Sequence, residues 1–429
     1  MEADHNLVIV GGGVAGLDIA TRLAGKRAHG RHLRVTLIDR ETAYVWKPML
    51  HTIAAGTSEA SAQQTVYAAQ AARLGFRYEL GEALGIDRHA RQVQLGAICV
   101  DGEEIVPERT IAYDTLVLTV GSRANDFGTP GAAEHAARID SRSDAMAFND
   151  RLRAGLVQST LAGKPLTVGI VGGGATGVEL AAELIQIAGL IEKYGMSRAS
   201  EHIKVVLIEA GPRLLGTFPE RLAAASRIKL EQLGVIVRTD TRVSSVEKTG
   251  FQLNGNEYLP VDLKVWAAGV KAPPLIGGLT DLERTRNGQL VVGPSFAAPG
   301  DPHIYAVGDC ASPRLPGLEG PVPTTAQAAS QHARYLCRHL PALIAGKTVP
   351  PARYRDFGAL VSLGGYDAFG TLGRFGFFEG GFLRGRVAQL GHAMLYRSYQ
   401  ARLHGVGRGT LLWLVDTINR RVRPTARLS

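Results

Sequence analysis

Residues 7–16 read LVIVGGGVAG, and residues 167–184 read TVGIVGGGATGVELAAEL. In each, a short aliphatic run meets three spaced glycines and opens into an alanine- and leucine-rich stretch with helical spacing. A strand, a glycine turn and a helix in that order force the helix back onto the strand that feeds it, so a chain carrying the unit twice is committed to α/β architecture. Gly11 and Gly172 permit the tight turn. Gly13 and Gly174 let backbone N–H groups approach a pyrophosphate, and Gly16 and Gly177 allow close packing of helix on strand. The helix start then offers unpaired donors and partial positive charge to phosphates. Each unit continues to a second strand that ends in an acid, RVTLID at Asp39 and KVVLIE at Glu209, where a carboxylate accepts both ribose hydroxyls of an adenosine. Two bound dinucleotides are therefore expected.

Each unit closes on a similar returning strand, YDTLVLTVGS (113–122) and VDLKVWAAGV (261–270), and IYAVGDCA (304–311) reads as one more strand ending on Gly308 and Asp309. The fold class expected is α/β with two Rossmann-like dinucleotide-binding domains, the second inserted in the first, followed by an amphipathic membrane-binding region. The domains expected are 1–122 and 288–345 for the first, 123–287 for the second, and 346–429 for the C-terminal region. At 429 residues the chain is long enough for two or three cores. The opening MEADHNLVIV lacks the basic and apolar pattern of a cleaved leader, so none is expected. Cys99, Cys310 and Cys337 stand singly, with no C-x-x-C and no metal-ligand spacing. Neither a disulfide framework nor a metal site is expected, and redox chemistry must come from a cofactor.

Glu209 bears on the choice of nicotinamide cofactor, because its carboxylate would repel a 2′-phosphate and lose a charge-assisted hydrogen bond of roughly 1.5 to 3 kcal/mol. NADH is favoured over NADPH, although Arg213 stands near enough to hold such a phosphate. Glu179, two residues past the last glycine of the second unit, has two readings. It is either a working acid or, like Asp18 after the first unit, an acid gaining about 0.3 to 1 kcal/mol from the helix dipole. Glu183, one turn on, reads as solvated or packed at the domain boundary.

The two fingerprints, YVWKPMLHTIAAGT (44–57), YDTLVLTVGSRANDFGTPG (113–131), VWAAGVKAP (265–273), YAVGDCA (305–311) and TAQAASQ (325–331) together resemble the type II NADH dehydrogenases. These are single-subunit NADH:quinone oxidoreductases of the two-dinucleotide-binding-domain flavoprotein superfamily. The resemblance covers essentially the whole chain. It implies FAD on Gly11, Gly13, Ala15, Gly16, Asp39, Lys47, Gly121, Asp309, Ala326 and Gln327. It implies NADH on Gly172, Gly174, Thr176, Gly177, Glu209, Ala268 and Gly269, with the nicotinamide stacked on the flavin. Glu179, Lys47, Gln327 and Gln331 are the implied catalytic residues, and no metal takes part. Lys47 would hydrogen-bond near flavin N5 and bias its potential, or be an ordinary surface lysine with its stem on Trp46. In PVPTTAQAASQHARYL (321–336), Thr324 or Thr325 reads as the N-cap of a helix whose start would stabilise anionic reduced flavin. Gln327 and Gln331 share a face at i, i+4, lining the implied quinone pocket or lying exposed on an amphipathic helix. The implied reaction is FAD-dependent NADH oxidation with two-electron reduction of a membrane quinone, feeding a respiratory chain without proton pumping. The alternatives are a related flavoprotein quinone reductase using sulfide or NADPH, and a non-catalytic NADH-sensing nucleic-acid binder.

Charge singles out the C-terminus. From Arg384 to Ser429 there are nine arginines and one acid, Asp416, so the surplus of nine lies almost wholly in this tail. Leu395, Tyr399 and Leu403 fall four apart. After a GVGRG break, Leu411, Leu414, Val415, Ile418 and Val422 repeat at helical spacing beside Trp413. No apolar run reaches the roughly 18 to 20 residues that span a bilayer. Interfacial helices on an anionic lipid surface fit this pattern, as does a C-terminal dimerisation region. A peripheral homodimer on the cytoplasmic face of the inner membrane is expected, with no nucleic-acid partner, because no aromatic platform interleaves the basic residues.

Overall fold

The computed structural model describes residues 4–58, 64–193, 203–364, 367–372, 382–385, 394, 397, 400–403 and 405–422. The chain forms two compact units, each discontinuous in sequence. The first comprises Met1–Trp46, Gln64–Arg123 and Val270–Arg355, and the second Lys47–Gln63, Ala124–Gly269 and Asp356–Ser429. Residues 270–287 thus join the first unit, upstream of the boundary expected at 287, and residues 47–63 join the second.

The first unit is built on a sheet in the order Arg31–Asp39, His5–Val10, Thr115–Leu118, Asp301–Ala306. These strands run parallel, with Val8 opposite both Thr36 and Leu116, and Leu116 opposite Ile304. Their residues are continuous aliphatic runs because parallel strands are covered on both faces. Leu7, Ile9, Leu37, Leu116 and Val117 are fully buried. The Val14–Leu23 helix packs on the Ala326–Ile344 helix and on the strand Arg31–Asp39.

In the second unit the parallel order is Ile236–Arg238, Ile203–Ile208, Leu166–Val171, Leu263–Trp266. An antiparallel trio, Val243–Glu247, Gly250–Leu253 and Tyr258–Pro260, stands beside it and buries Phe251 against Val171, Val206 and Trp266. The Arg142–Ala162 helix begins with a full capping box: the Ser141 hydroxyl accepts from Asp144 N while Asp144 accepts from Ser141 N. It supports the short Leu50–Ala55 helix, where Asn149 donates to the Ala54 carbonyl at 3.1 Å.

The C-terminal region, expected to carry amphipathic helices, holds strands as well as a helix. It opens with an antiparallel meander, Gly358–Leu363, Asp367–Leu372 and Phe382–Arg384. Val406–Val422 then forms one helix that contains Gly407 and Gly409, so the glycines expected to break it lie inside its first turns. Leu395 and Tyr399 lie outside the described residues, as do residues 194–202 of the crossover and the side chain of Val422.

Candidate active site

The two glycine turns are the same device built twice. Gly11 has φ +102° and Gly172 φ +112°, and a Cβ on either would lie 2.6 to 2.7 Å from the backbone of a neighbouring strand end, Thr119 or Ala267–Ala268. A Cβ on Gly16 would overlap the Gly11 carbonyl oxygen, and one on Gly177 the Gly172 carbonyl oxygen. Around Gly13 and Gly174, by contrast, there is open space. Each helix begins at that open position, with Leu17 N donating to Gly13 O at 3.1 Å and Val178 N to Gly174 O at 3.0 Å. No side chain caps the first of them. The open space and the uncapped donors suit an anionic group.

The two strand-end acids are held alike. Asp39 accepts from Gly12 N at 2.5 Å and from Glu41 N at 2.8 Å. Glu209 accepts from Gly173 N and from Gly211 N, both at 2.7 Å. Each carboxylate therefore ties its glycine loop to the residue two beyond itself. Burial pushes the Asp39 carboxyl up, against the two N–H bonds that favour its charge. Arg213 is engaged elsewhere: it donates to Phe218 O at 2.9 Å and Gly216 O at 2.8 Å.

In the first unit, Asp309 accepts from the Ser122 hydroxyl at 2.8 Å, and its carbonyl accepts from Gln289 at 3.0 Å. Gly308 N donates to Nδ1 of the buried His332 at 3.2 Å; with burial pushing that imidazole down to about 4, the acceptor stays neutral. Gly121, before Ser122, has φ +67°. Ala15 is buried in the Val14–Leu23 helix. Thr325, of the two candidate caps, accepts from Ala328 N at 3.2 Å, and Ala326 starts the helix. Gln327 is half-buried. The Gln331 amide clasps one backbone position, donating to Arg355 O at 2.8 Å and accepting from Arg355 N at 3.0 Å.

In the second unit, Lys47 lies 3.6 Å from Asp140, which also accepts from Ala124 N at 2.9 Å. Thr176 is exposed in the first turn of its helix, Ala268 is half-buried, and Gly269 adopts φ +60°.

Glu179 departs most from the helix-dipole picture. Asp18 is buried but paired with Arg22 at 2.7 Å. Glu179 is only 7 % exposed, accepts from Ser362 N at 3.0 Å, and lies 3.5 Å from His51 Nδ1. Burial pushes its carboxyl up to about 8, with the charge of Glu183 adding to the rise. Glu183, read from the sequence as solvated or at a boundary, is 5 % exposed and accepts from the Thr57 hydroxyl at 2.5 Å. His51, Thr57 and Ser362 were not anticipated. One signal was present: the only polar residues among 175–188 are Thr176, Glu179, Glu183 and Gln186, spaced to fall along one helix face.

Residues 5–333 match the family described as "Pyridine nucleotide-disulphide oxidoreductase". A type II NADH:quinone oxidoreductase of Haemophilus influenzae is 35% identical, the match covering 99% of each chain. The chain belongs to the type II NADH:quinone oxidoreductase family. In fold it is similar to NDH2 from Plasmodium falciparum, solved in complex with NADH, at a TM-score of 0.83 and 20% identity over 99% of this chain and 100% of that one. It is also similar to the sulfide:quinone oxidoreductase of Aquifex aeolicus, at a TM-score of 0.72 and 19% identity over 98% and 96%.

The three cysteines are free, and burial pushes the Cys310 and Cys337 thiols up to about 12, far from the thiolate a disulfide or sulfide route needs. Among the described residues there is no cluster that could hold a metal ion, and no helix is long and apolar enough to cross a membrane.

Proposed function

We propose that the chain oxidises NADH and delivers both electrons to a membrane quinone through a bound FAD, feeding a respiratory chain without moving protons across the bilayer. The doubled cradle carries this reading: two glycine turns of equal geometry, each with its own pinned acid, in a chain matched end to end by an NADH:quinone oxidoreductase. Asp39 and Glu209 present carboxylates to the two adenosine riboses, and the open helix starts at Gly13 and Gly174 receive the pyrophosphates. Bound in the first cradle, the flavin would supply a two-electron carrier between nicotinamide and quinone. Lys47, beside Asp140, serves as a hydrogen-bond donor to it, and the loop of Ser122, Gly308 and Asp309 holds its ribityl or phosphate end. Gln327 lines the quinone pocket, with Gln331 acting through its hold on Arg355.

The overall change takes one hydride from NADH and one proton from water to the two quinone oxygens. Glu179, uncharged near neutral pH because burial holds its carboxyl at about 8, is suited to donate that proton. Analysis of the flavin released by heat tests the first part of the reading: one FAD per chain is expected, and FMN or none would contradict it.

Glu209 sets the donor. Arg213 is engaged by backbone carbonyls, which leaves the Glu209 carboxylate to repel a 2′-phosphate. Glu209→Ala is expected to raise the KM for NADH by about 10- to 100-fold, the loss of a charge-assisted hydrogen bond, with kcat little changed. Unchanged KM values for both NADH and NADPH would remove Glu209 from the ribose.

The C-terminal helix supports a peripheral attachment. Leu411, Trp413, Leu414, Val415 and Ile418 are all at least 45 % exposed on Val406–Val422. Such a patch beside an arginine-rich sequence suits the surface of an anionic bilayer. Removing residues from Gln389 onward is expected to release the protein from anionic vesicles while NADH still reduces its flavin. Flotation of the shortened chain with the vesicles would refute the attachment.

A further inference from the structure

Glu179 and Glu183 lie one turn apart on the same helix, both buried, and accept hydrogen bonds from a backbone N–H and a hydroxyl. Among the described residues no lysine or arginine is paired with either. The Leu50–Ala55 helix packed against them brings His51 as its one ionisable side chain, and the Gly358–Leu363 strand, also packed there, brings none. Of the charged side chains on the other neighbours, Lys204, Glu220 and Arg221 are exposed, Lys229 is half-buried, and Arg227 is paired with Glu231 at 2.9 Å. The charged neighbour that biases Glu179 is Glu183. Two carboxylates so placed cannot both ionise at neutral pH, because each charge is desolvated and each repels the other.

The outer oxygens of the pair are fixed from different elements. Ser362 N donates to Glu179 Oε1, and the Thr57 hydroxyl donates to Glu183 Oε2. The remaining Glu179 oxygen faces His51. We propose that Glu179 and Glu183 act as one buried carboxyl pair, in which Glu183, held by Thr57, governs when Glu179 keeps its proton and His51 returns a proton to Glu179 after it is lost. Glu183 and Thr57 are positioning residues in this scheme.

The inference rests on Glu179 as the donor to quinone. In each turnover the Glu179 O–H breaks and a quinol O–H forms, leaving one added negative charge on the pair. A proton from water, passed by way of His51, removes that charge, so the net uptake is the single proton the reaction requires.

The test is a pH titration of the protonated-carboxyl infrared band in glutamate-labelled holoenzyme. The band lost in Glu179→Gln identifies that residue, and in the wild type it is expected to disappear near pH 8. In Glu183→Gln, where the neighbouring charge is gone, its midpoint is expected to fall by about one unit. Thr57→Val is expected to move it the same way, since Glu183 without its hydroxyl donor holds its own proton more firmly, and Thr57→Ser is expected to restore the wild-type midpoint. His51→Ala is expected to slow quinone reduction at least about tenfold, with added imidazole recovering the rate.

A Glu179 midpoint that stays in place in both the Glu183 and Thr57 variants overturns the pairing, even where Glu179→Gln stalls quinone reduction. Undiminished quinone reduction in Glu179→Gln overturns the donor role beneath it instead. A His51→Ala enzyme that is not slowed, or is slowed and not rescued, removes the histidine from the path.

Discussion

Gly177→Ala is expected to purify yellow and to stay yellow when NADH is added. The added Cβ would overlap the Gly172 carbonyl oxygen, an atom of the turn itself, so the loop must move away from the helix start. Displacement of the turn by even about 1 Å removes the N–H groups from a bound pyrophosphate, which justifies an expected loss of about a hundredfold or more in NADH affinity. The matching change in the first cradle, Gly16→Ala, meets both the Gly11 carbonyl and the Thr119 hydroxyl. Its expected product is a colourless protein. The pair of variants thus separates the two sites by colour alone: a Gly177→Ala protein still bleached at wild-type NADH concentrations, or a Gly16→Ala protein with full flavin content, would show that the turns do not hold these ligands.

Glu179→Gln is expected to slow quinone reduction by about a hundredfold, the lower end of what a positioned proton donor contributes, while making the fold more stable in alkaline solution. The sign follows from the direction of the shift. The carboxyl is raised in the folded chain, from 4.5 to about 8, so the folded state holds a proton that the unfolded state releases. Below about pH 4.5 both states are protonated and the residue carries no penalty. As pH rises from there to about 8 the unfolded state gains relative to the folded one, and above that the penalty is complete. At about 1.4 kcal/mol per unit it amounts to roughly 4 to 5 kcal/mol as an upper figure. Glutamine does not ionise, so the unfolding curves of the two proteins should converge near about pH 5 and separate toward about pH 9, with the variant the more stable. Equal pH dependence would mean that Glu179 is solvated and charged in the folded chain. A site that destabilises its own fold in this way is the sort of compromise function imposes.

Much of this arrangement is legible in the residues because the cradles are local. Glycines, strand and acid lie within one strand-helix-strand unit, so spacing alone carries the geometry, and Asp39 and Glu209 fall where the strands RVTLID and KVVLIE end. The Asp301–Ala306 strand, too, sits beside Thr115–Leu118, because its aliphatic run and terminal Gly308–Asp309 repeat the pattern of a cofactor-facing strand. What escapes such reading is whatever depends on distant chain segments. His51 and Thr57 reach Glu179 and Glu183 only once the Leu50–Ala55 helix packs on the Ala175–Lys193 helix, and nothing near position 183 foretells a hydroxyl partner. Glutamates are seldom buried, which makes a solvated Glu183 the natural expectation; the Thr57 bond supplies what burial requires. The meander beginning at Gly358 is obscured by its glycines, which break the alternation that marks a strand. Gly407 and Gly409 mislead in the opposite sense. Each costs a helix only about 1 kcal/mol, and the apolar run from Leu411 is long enough to carry the helix through them.

The most direct test of the whole account is an anaerobic absorbance titration of the purified full-length protein. Flavin bands should be present as isolated, should bleach on addition of one equivalent of NADH, and should return when a quinone is supplied. A protein that is colourless after reconstitution with FAD, or whose flavin stays oxidised in excess NADH, would contradict it.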